Sequence, residues 1–216
     1  MYDAIVVGAR CAGSPLSMLL TRRGYRVLLV DRATFPSDTI STQFIWPTGV
    51  ACLNRWELLD RLRATNCPPV RDIGIDLGAF SLLGTPPPID GVAEMFCPRR
   101  TILDKLLVDA AAEAGAEVEQ AFTVTGLKWS DGRVAGIRGH KRNGAEIEET
   151  ARIVIGADGR HSAVAAAAGA ETCNTKPVMT CCYYSFWRNV PPHGWISRNA
   201  FSRSASMPAS KRAVRI

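Results

Sequence analysis

Tyr2-Asp3-Ala4-Ile5-Val6-Val7 followed by Gly8-Ala9-Arg10-Cys11-Ala12-Gly13 is the stretch that decides the fold: an apolar run of strand length empties into a glycine-bearing turn. Beyond it, Pro15-Leu16-Ser17-Met18-Leu19-Leu20 carries apolar residues at helical spacing, and Gly24 closes that helix. Arg26-Val27-Leu28-Leu29-Val30-Asp31 reads as a second strand, apolar enough to be covered on both faces as in a parallel sheet. Strand, helix and strand within about thirty residues make a βαβ unit with a right-handed crossover. Its glycines have separable tasks. Gly8 permits the sharp turn, Gly13 lets the helix pack closely, and the helix N-terminus offers unpaired N–H groups and its positive dipole end to a pyrophosphate. Asp31, ending the second strand, can accept hydrogen bonds from ribose hydroxyls. Arg10 stands where GxGxxG has its second glycine, so its side chain either crowds a pyrophosphate or lends it a guanidinium. The alternative reading is a tight βα turn in some other doubly wound sheet.

A polar loop over 33–44 leads to a helix over 48–63, with Val50, Leu53, Leu58, Leu59 and Leu62 on its apolar side and Cys67-Pro68-Pro69 breaking it. Between 70 and 96, Gly84 and Pro86-Pro87-Pro88 separate strand-like pieces, which predicts hairpins that leave the main sheet. A helix over 101–114 follows, with Ile102, Leu103, Leu106, Leu107 and Ala110 recurring at three and four residues and Gly115 closing it. From 117 to 155 the pattern is strand after strand, turned at Ser130-Asp131-Gly132 and Asn143-Gly144. Ile153-Val154-Ile155 predicts a buried strand running into Gly156-Ala157-Asp158-Gly159 and an alanine-rich helix from near Ser162. One more strand is expected over 179–187. The fold class is therefore α/β: a Rossmann-like βαβ domain with a parallel sheet plus an antiparallel β-meander.

With 216 residues, 47% of them hydrophobic, and no run of eighteen apolar positions, the chain can bury one sizeable core and is not expected to insert stably in a membrane. The first strand starts right after Met1, leaving no room for a signal peptide, and predicts a cytoplasmic protein. Seven cysteines without CxxC spacing read as ordinary buried thiols, with no metal site. The net charge of +6 is unevenly spread: seven of the 26 basic residues and none of the 20 acidic ones follow Glu171. The body is nearly neutral, so nucleic acid is not an expected partner.

Two further segments, Pro98-Arg99-Arg100-Thr101-Ile102-Leu103-Asp104 and Gly156-Ala157-Asp158-Gly159-Arg160-His161-Ser162, join GARCAG and VDRATFP in a recognisable order. Together they resemble the FAD-dependent monooxygenases of the aromatic hydroxylase type and the related geranylgeranyl reductases, over about residues 2–188. The resemblance implies FAD as cofactor, with its pyrophosphate over Gly8, Ala9, Arg10, Cys11, Ala12 and Gly13. It implies that Asp31 binds ribose with Arg32 near the adenosine, and that Arg100 of the R-x-x-L-D motif approaches the pyrophosphate or ribityl chain. Asp158-Gly159 would lie near the pyrophosphate and be associated with both FAD and NAD(P)H, and Val124 would approach the adenine through its backbone. NAD(P)H would reduce the flavin, and O2 would serve to hydroxylate a small organic substrate; in the reductases an isoprenoid double bond is reduced instead. Such chemistry belongs to the cofactor, and no catalytic side chain is readable: His161 fits a surface or capping role. Arg100 has a plainer reading as a solvated first-turn residue, although an arginine there opposes the helix dipole. Asp158 has one as a turn or capping residue before Ser162.

The resemblance also implies a later Gly-Asp motif and a substrate-binding sheet, in members about twice as long. Residues 1–170 would form the FAD-binding domain, with 70–98 an inserted part of the substrate domain, 171–194 the start of the substrate sheet, and 195–216 an irregular basic tail. That tail holds five serines, four arginines and no acid, a composition that builds no core. It reads either as a flexible basic tail or, since a charge shift and an interrupted sheet coincide, as the product of a reading frame lost near residues 190–195. The second reading predicts a truncated, non-catalytic chain with weak or no hold on FAD. The sequence carries no signal for oligomeric state.

Overall fold

β1 (Tyr2–Val7), α1 (Gly13–Thr21) and β2 (Val27–Asp31) form the βαβ unit where the sequence places it. The computed structural model describes residues 1–41, 44–76, 79–142, 144–177, 187–188 and 210–211. After β2 come α2 (Pro47–Arg55), α3 (Leu59–Arg63), β3 (Pro69–Val70), β4 (Ile73–Asp76), β5 (Ser81–Gly84) and β6 (Met95–Phe96). α4 (Arg100–Glu113), β7 (Glu117–Gln120), β8 (Phe122–Ser130), β9 (Arg133–Lys141), β10 (Glu146–Gly156) and α5 (Ala163–Ala167) complete the main body. The chain divides into two compact units, residues 1–39 with 100–175 and residues 40–99 with 176–216.

The first unit is built on a sheet in the order β7-β2-β1-β10-β9-β8. β7, β2, β1 and the end of β10 run parallel, while β10, β9 and β8 form the antiparallel meander. β10 belongs to both halves. Its residues from Glu146 to Thr150 pair with β9, and from Ala151 to Gly156 it pairs with β1. Tyr2, Ile5, Val7, Leu28 and Val30 of the parallel strands form one buried cluster with Phe122, Leu127 and Ile137 of the meander and Val164 of α5. The Ser130-Asp131-Gly132 turn has positive φ at Asp131 and Gly132, as a two-residue hairpin turn requires. In the second unit, β4 and β5 form a hairpin outside the main sheet, as expected, whereas β3 pairs with β6 across the intervening β4 and β5 and is no hairpin, and Gly84 ends β5.

Several expectations need correction. The single helix over 48–63 is two helices: Glu57 adopts φ +64, its N–H donates to Asn54 O at 3.0 Å, and the Leu58 N–H reaches Leu53 O at 2.8 Å. This is a Schellman-type stop with Leu53 and Leu58 both buried beside it. Apolar periodicity ran through the stop because both helices face one core. The strand over 153–155 is not buried: Ile153 is 53% exposed, because β9 leaves β10 at Thr150 and β10 then has a strand neighbour on one side alone among the described residues. The cysteines are not uniformly buried either, Cys67 being buried while Cys11 and Cys173 are exposed. Asn143, most of the strand expected over 179–187, and nearly all of the tail lie outside the described residues. Within the tail, where no regular element is expected, β12 (Ser210–Lys211) pairs antiparallel with β11 (Trp187–Arg188). No helix of the described residues is long and apolar enough to cross a membrane.

Tyr2 makes the core pH-sensitive. It is 6% exposed, and burial, with a hydrogen bond to Glu117 and that residue's charge, raises its phenol from 10.0 to about 12. A folded-state value above the unfolded one means stability that is whole below pH 10 and lost as pH climbs toward 12. Alkaline titration of unfolding should be steeper in the wild type than in Tyr2→Phe over that window. Equal slopes would rule this contribution out.

Candidate functional site

The first βα turn is built by close backbone contacts. Gly8 sits at φ +104 with its N–H donating to Val30 O at 2.8 Å, and a Cβ there would stand 2.4 Å from Ala157 O. A Cβ on Gly13 would stand 1.8 Å from Gly8 O. The turn is thus pinned between its own helix and the Gly156–Gly159 segment, whose Ala157 N–H donates to Val7 O at 2.7 Å. Asp31, 9% exposed, accepts the Ala9 N–H at 2.7 Å through one carboxylate oxygen and the Ala33 N–H at 2.8 Å through the other. One acid therefore fixes both the turn and the start of the following loop, and each oxygen keeps a lone pair for a further donor. Arg32 beside it is exposed.

α1 and α5 differ at their N-termini. α5 is self-capped: Asp158 accepts the Ser162 hydroxyl at 2.5 Å and the Ala163 and Val164 N–H groups at 2.7 and 3.3 Å, and Ser162 Oγ accepts the Ala165 N–H at 3.0 Å. Asp158 is thus engaged as the capping residue weighed in the sequence, while Gly159 at φ +87 has open space around it. α1 has no side-chain cap and no acid in its first turn. Its positive dipole end is left for an anion, although the Ser14 N–H already donates to Arg10 O at 3.1 Å and Pro15 carries no N–H.

Beside that end lies a cluster the sequence did not announce. Asp104, fully buried on α4, accepts from Arg10 Nη1 at 2.5 Å through one oxygen and from Arg100 Nε and Nη2, both at 2.9 Å, through the other. The Cys11 thiol lies 3.4 Å from the same carboxylate. Although Cys11 as a residue is exposed, the loss of solvent around its thiol raises it to about 11, the charge of Arg100 opposing and that of Asp104 adding, so Cys11 stays protonated at neutral pH. Two guanidiniums against one carboxylate leave a net positive charge against the turn. Arg100 thus has its counter-charge one helical turn onward, which removes the dipole puzzle without a phosphate. The readable signal was Asp104 itself, an acid amid Leu103, Leu107 and Val108 on the buried face of α4, where a lone charge demands partners. Arg10 also donates to Ser37 Oγ at 3.0 Å and lies over the Phe35 ring at 5.4 Å. Val124 lies in β8 opposite Gly139, partly buried against the meander core.

The family model described as an FAD binding domain matches residues 1–214. The chain belongs to this FAD-binding family. Among curated relatives, the digeranylgeranylglycerophospholipid reductase of Methanocella arvoryzae is 32% identical over 191 residues, which cover 85% of this chain and 46% of that protein. The FAD-binding chain thus spans about half the length of the curated relatives it matches. Among solved structures, the myxobacterial chondrochloren halogenase, an FAD-dependent halogenase, superposes with a TM-score of 0.71 at 25% identity, over 77% of this chain and 39% of that one. A geranylgeranyl bacteriochlorophyll reductase-like protein of Thermoplasma acidophilum shares the fold, with a TM-score of 0.61 at 22% identity over 71% and 38% of the two chains. The uncapped α1, the carboxylate at the end of β2 and the net positive cluster fit the adenosine diphosphate end of FAD.

Proposed function

We propose that this chain is the FAD-binding portion of an NAD(P)H-dependent flavoprotein oxidoreductase that acts on a small organic substrate. The observation that carries the reading is the uncapped N-terminus of α1 set against the net positive Arg10, Arg100 and Asp104 cluster, in a chain matched throughout by an FAD-binding family. In this reading the Gly8–Gly13 turn, namely Gly8, Ala9, Arg10, Cys11, Ala12 and Gly13, holds the pyrophosphate side of FAD. Asp31 accepts the ribose hydroxyls, Arg32 screens the adenosine from its exposed position, and the Val124 backbone borders the adenine. Arg100 directs its charge at the pyrophosphate or ribityl chain, and Gly159 leaves room beside it while Asp158 holds that turn rigid. Bound FAD would supply two-electron redox chemistry between NAD(P)H and the substrate.

For the whole protein, reduction of an isoprenoid double bond is favoured by the curated relative named as a digeranylgeranylglycerophospholipid reductase. An apolar groove of about 410 Å³ within the second unit, lined by Trp46, Ile73, Leu82, Leu83 and Pro86, suits such a chain. A monooxygenase-like use of O2 is the second reading, favoured by the motif resemblance and the halogenase neighbour. Titrating the purified chain with FAD while following flavin fluorescence tests the common core. Saturable quenching is expected, and a colourless chain that takes up no added FAD refutes it. With NAD(P)H and candidate substrate, oxygen uptake tied to product favours the monooxygenase reading, and product formed equally well without oxygen favours the reductase.

A further inference from the structure

Arg10 is the residue at which this chain departs from GxGxxG, and the geometry gives it a task that a glycine there could not perform. Its guanidinium touches three residues in two other segments at once. Nη1 donates to Asp104 on α4 at 2.5 Å, Nη2 donates to Ser37 in the loop after β2 at 3.0 Å, and its face lies 5.4 Å from the Phe35 ring. The far ends of these contacts are themselves anchored. Asp104 is fully buried and held by Arg100, Phe35 is 8% exposed, and the Phe35 N–H donates to Gln120 Oε1 on β7 at 2.7 Å. Arg10 is 28% exposed, so it spans from the rim of the turn inward to a buried carboxylate. A guanidinium committed in this way neither crowds the space above the α1 N-terminus nor is free to leave for a phosphate.

We propose that Arg10 is a positioning residue that assembles the cofactor cradle before the cofactor arrives, by locking together the β1–α1 turn, the loop following Asp31 and Arg32, and the α4 segment bearing Arg100. The role rests on the FAD reading for its ligand, while the lock itself is a property of the ligand-free chain. A planar fork with donors in two directions and a stacking face is needed. A lysine supplies one point charge and loses the rest. A pre-assembled cradle binds more tightly because less ordering is left for the binding step.

The test uses the purified chain with ADP and FAD as probes, and amide hydrogen exchange without ligand. In Arg10→Ala, exchange over residues 32–39 should quicken several-fold, and affinity for both probes should fall roughly tenfold. Arg10→Lys should recover the melting temperature, through its charge beside Asp104, yet leave the affinities near those of the alanine variant. Ser37→Ala, which removes one arm and no charge, should lower affinity a few-fold. Unchanged exchange over 32–39 in Arg10→Ala overturns the lock, as does full recovery of affinity by lysine. Unchanged or tighter binding by Arg10→Ala overturns its role in the cradle. A wild-type chain that binds neither probe refutes the FAD reading and with it that role, while exchange over 32–39 still decides the lock.

Discussion

Asp104→Ala should lower the free energy of unfolding by about 3–5 kcal/mol, read from urea titration against the wild type. The side chain is fully buried, and its removal strands two guanidiniums, Arg10 and Arg100, that are 28% and 13% exposed. The loss is that of breaking a buried pair from its anionic side, with two cations left close together. Asp104→Asn keeps the shape without the charge and should lie between the wild type and the alanine variant. Arg100→Leu combined with Asp104→Leu should recover part of the loss, since it removes one of the two stranded cations and leaves Arg10 with Ser37. A deficit under about 1 kcal/mol for Asp104→Ala would mean that the cluster is worth no more than a surface pair.

Gly13→Ala should do comparable or greater harm, about 4 kcal/mol or failure to fold, because its Cβ would fall 1.8 Å from the Gly8 carbonyl oxygen. The Cβ position is fixed by the backbone and its neighbour is a backbone oxygen, so no rotamer change relieves it. The helix must lift from the turn, and lifting it undoes the hold of Asp31 on Ala9 as well. Gly126→Ala in β8 is the control: nothing lies within 4 Å of its Cβ, and its melting temperature should stay close to that of the wild type. A Gly13→Ala chain as soluble and as stable as that control would mean that the turn is looser than its contacts imply.

The βαβ unit was legible because its signals are local: an apolar run, a glycine turn, a helix period and an acid at a strand end all fall within residues 2–31. The β4–β5 hairpin was legible for the same reason, while the pairing of β3 with β6, distant in sequence, was not. The helix stop at Glu57 was not, since glutamate is an uncommon residue at positive φ and the apolar spacing continues across it. The exposure of Ile153 was hidden because an apolar triplet says nothing of which strands flank it. In the site, the turn glycines and Asp31 could be named from spacing, and their places next to one another follow from it. The Arg10 and Asp104 pair could not, being separated by 94 residues and joined only when α4 docks on α1. A rule that assigns each charged side chain to the ligand therefore misses the charges that serve one another.

β10 carries a consequence for how the molecule comes into being on the ribosome. β1 is made well before β10, yet one of its two neighbours is the last part of β10, with Tyr2 opposite Ala151 and Val7 opposite Gly156. At about 5–20 residues per second, β1 waits roughly 8 to 30 s for that neighbour to be synthesised. Through that interval β1 and β2 can only form a half-shielded parallel pair crossed by α1, with an apolar flank that a holdase chaperone would recognise. Nascent chains stalled before residue 151 should therefore remain protease-sensitive across β1, and protection should arrive in one step as the final residues of β10 clear the exit tunnel.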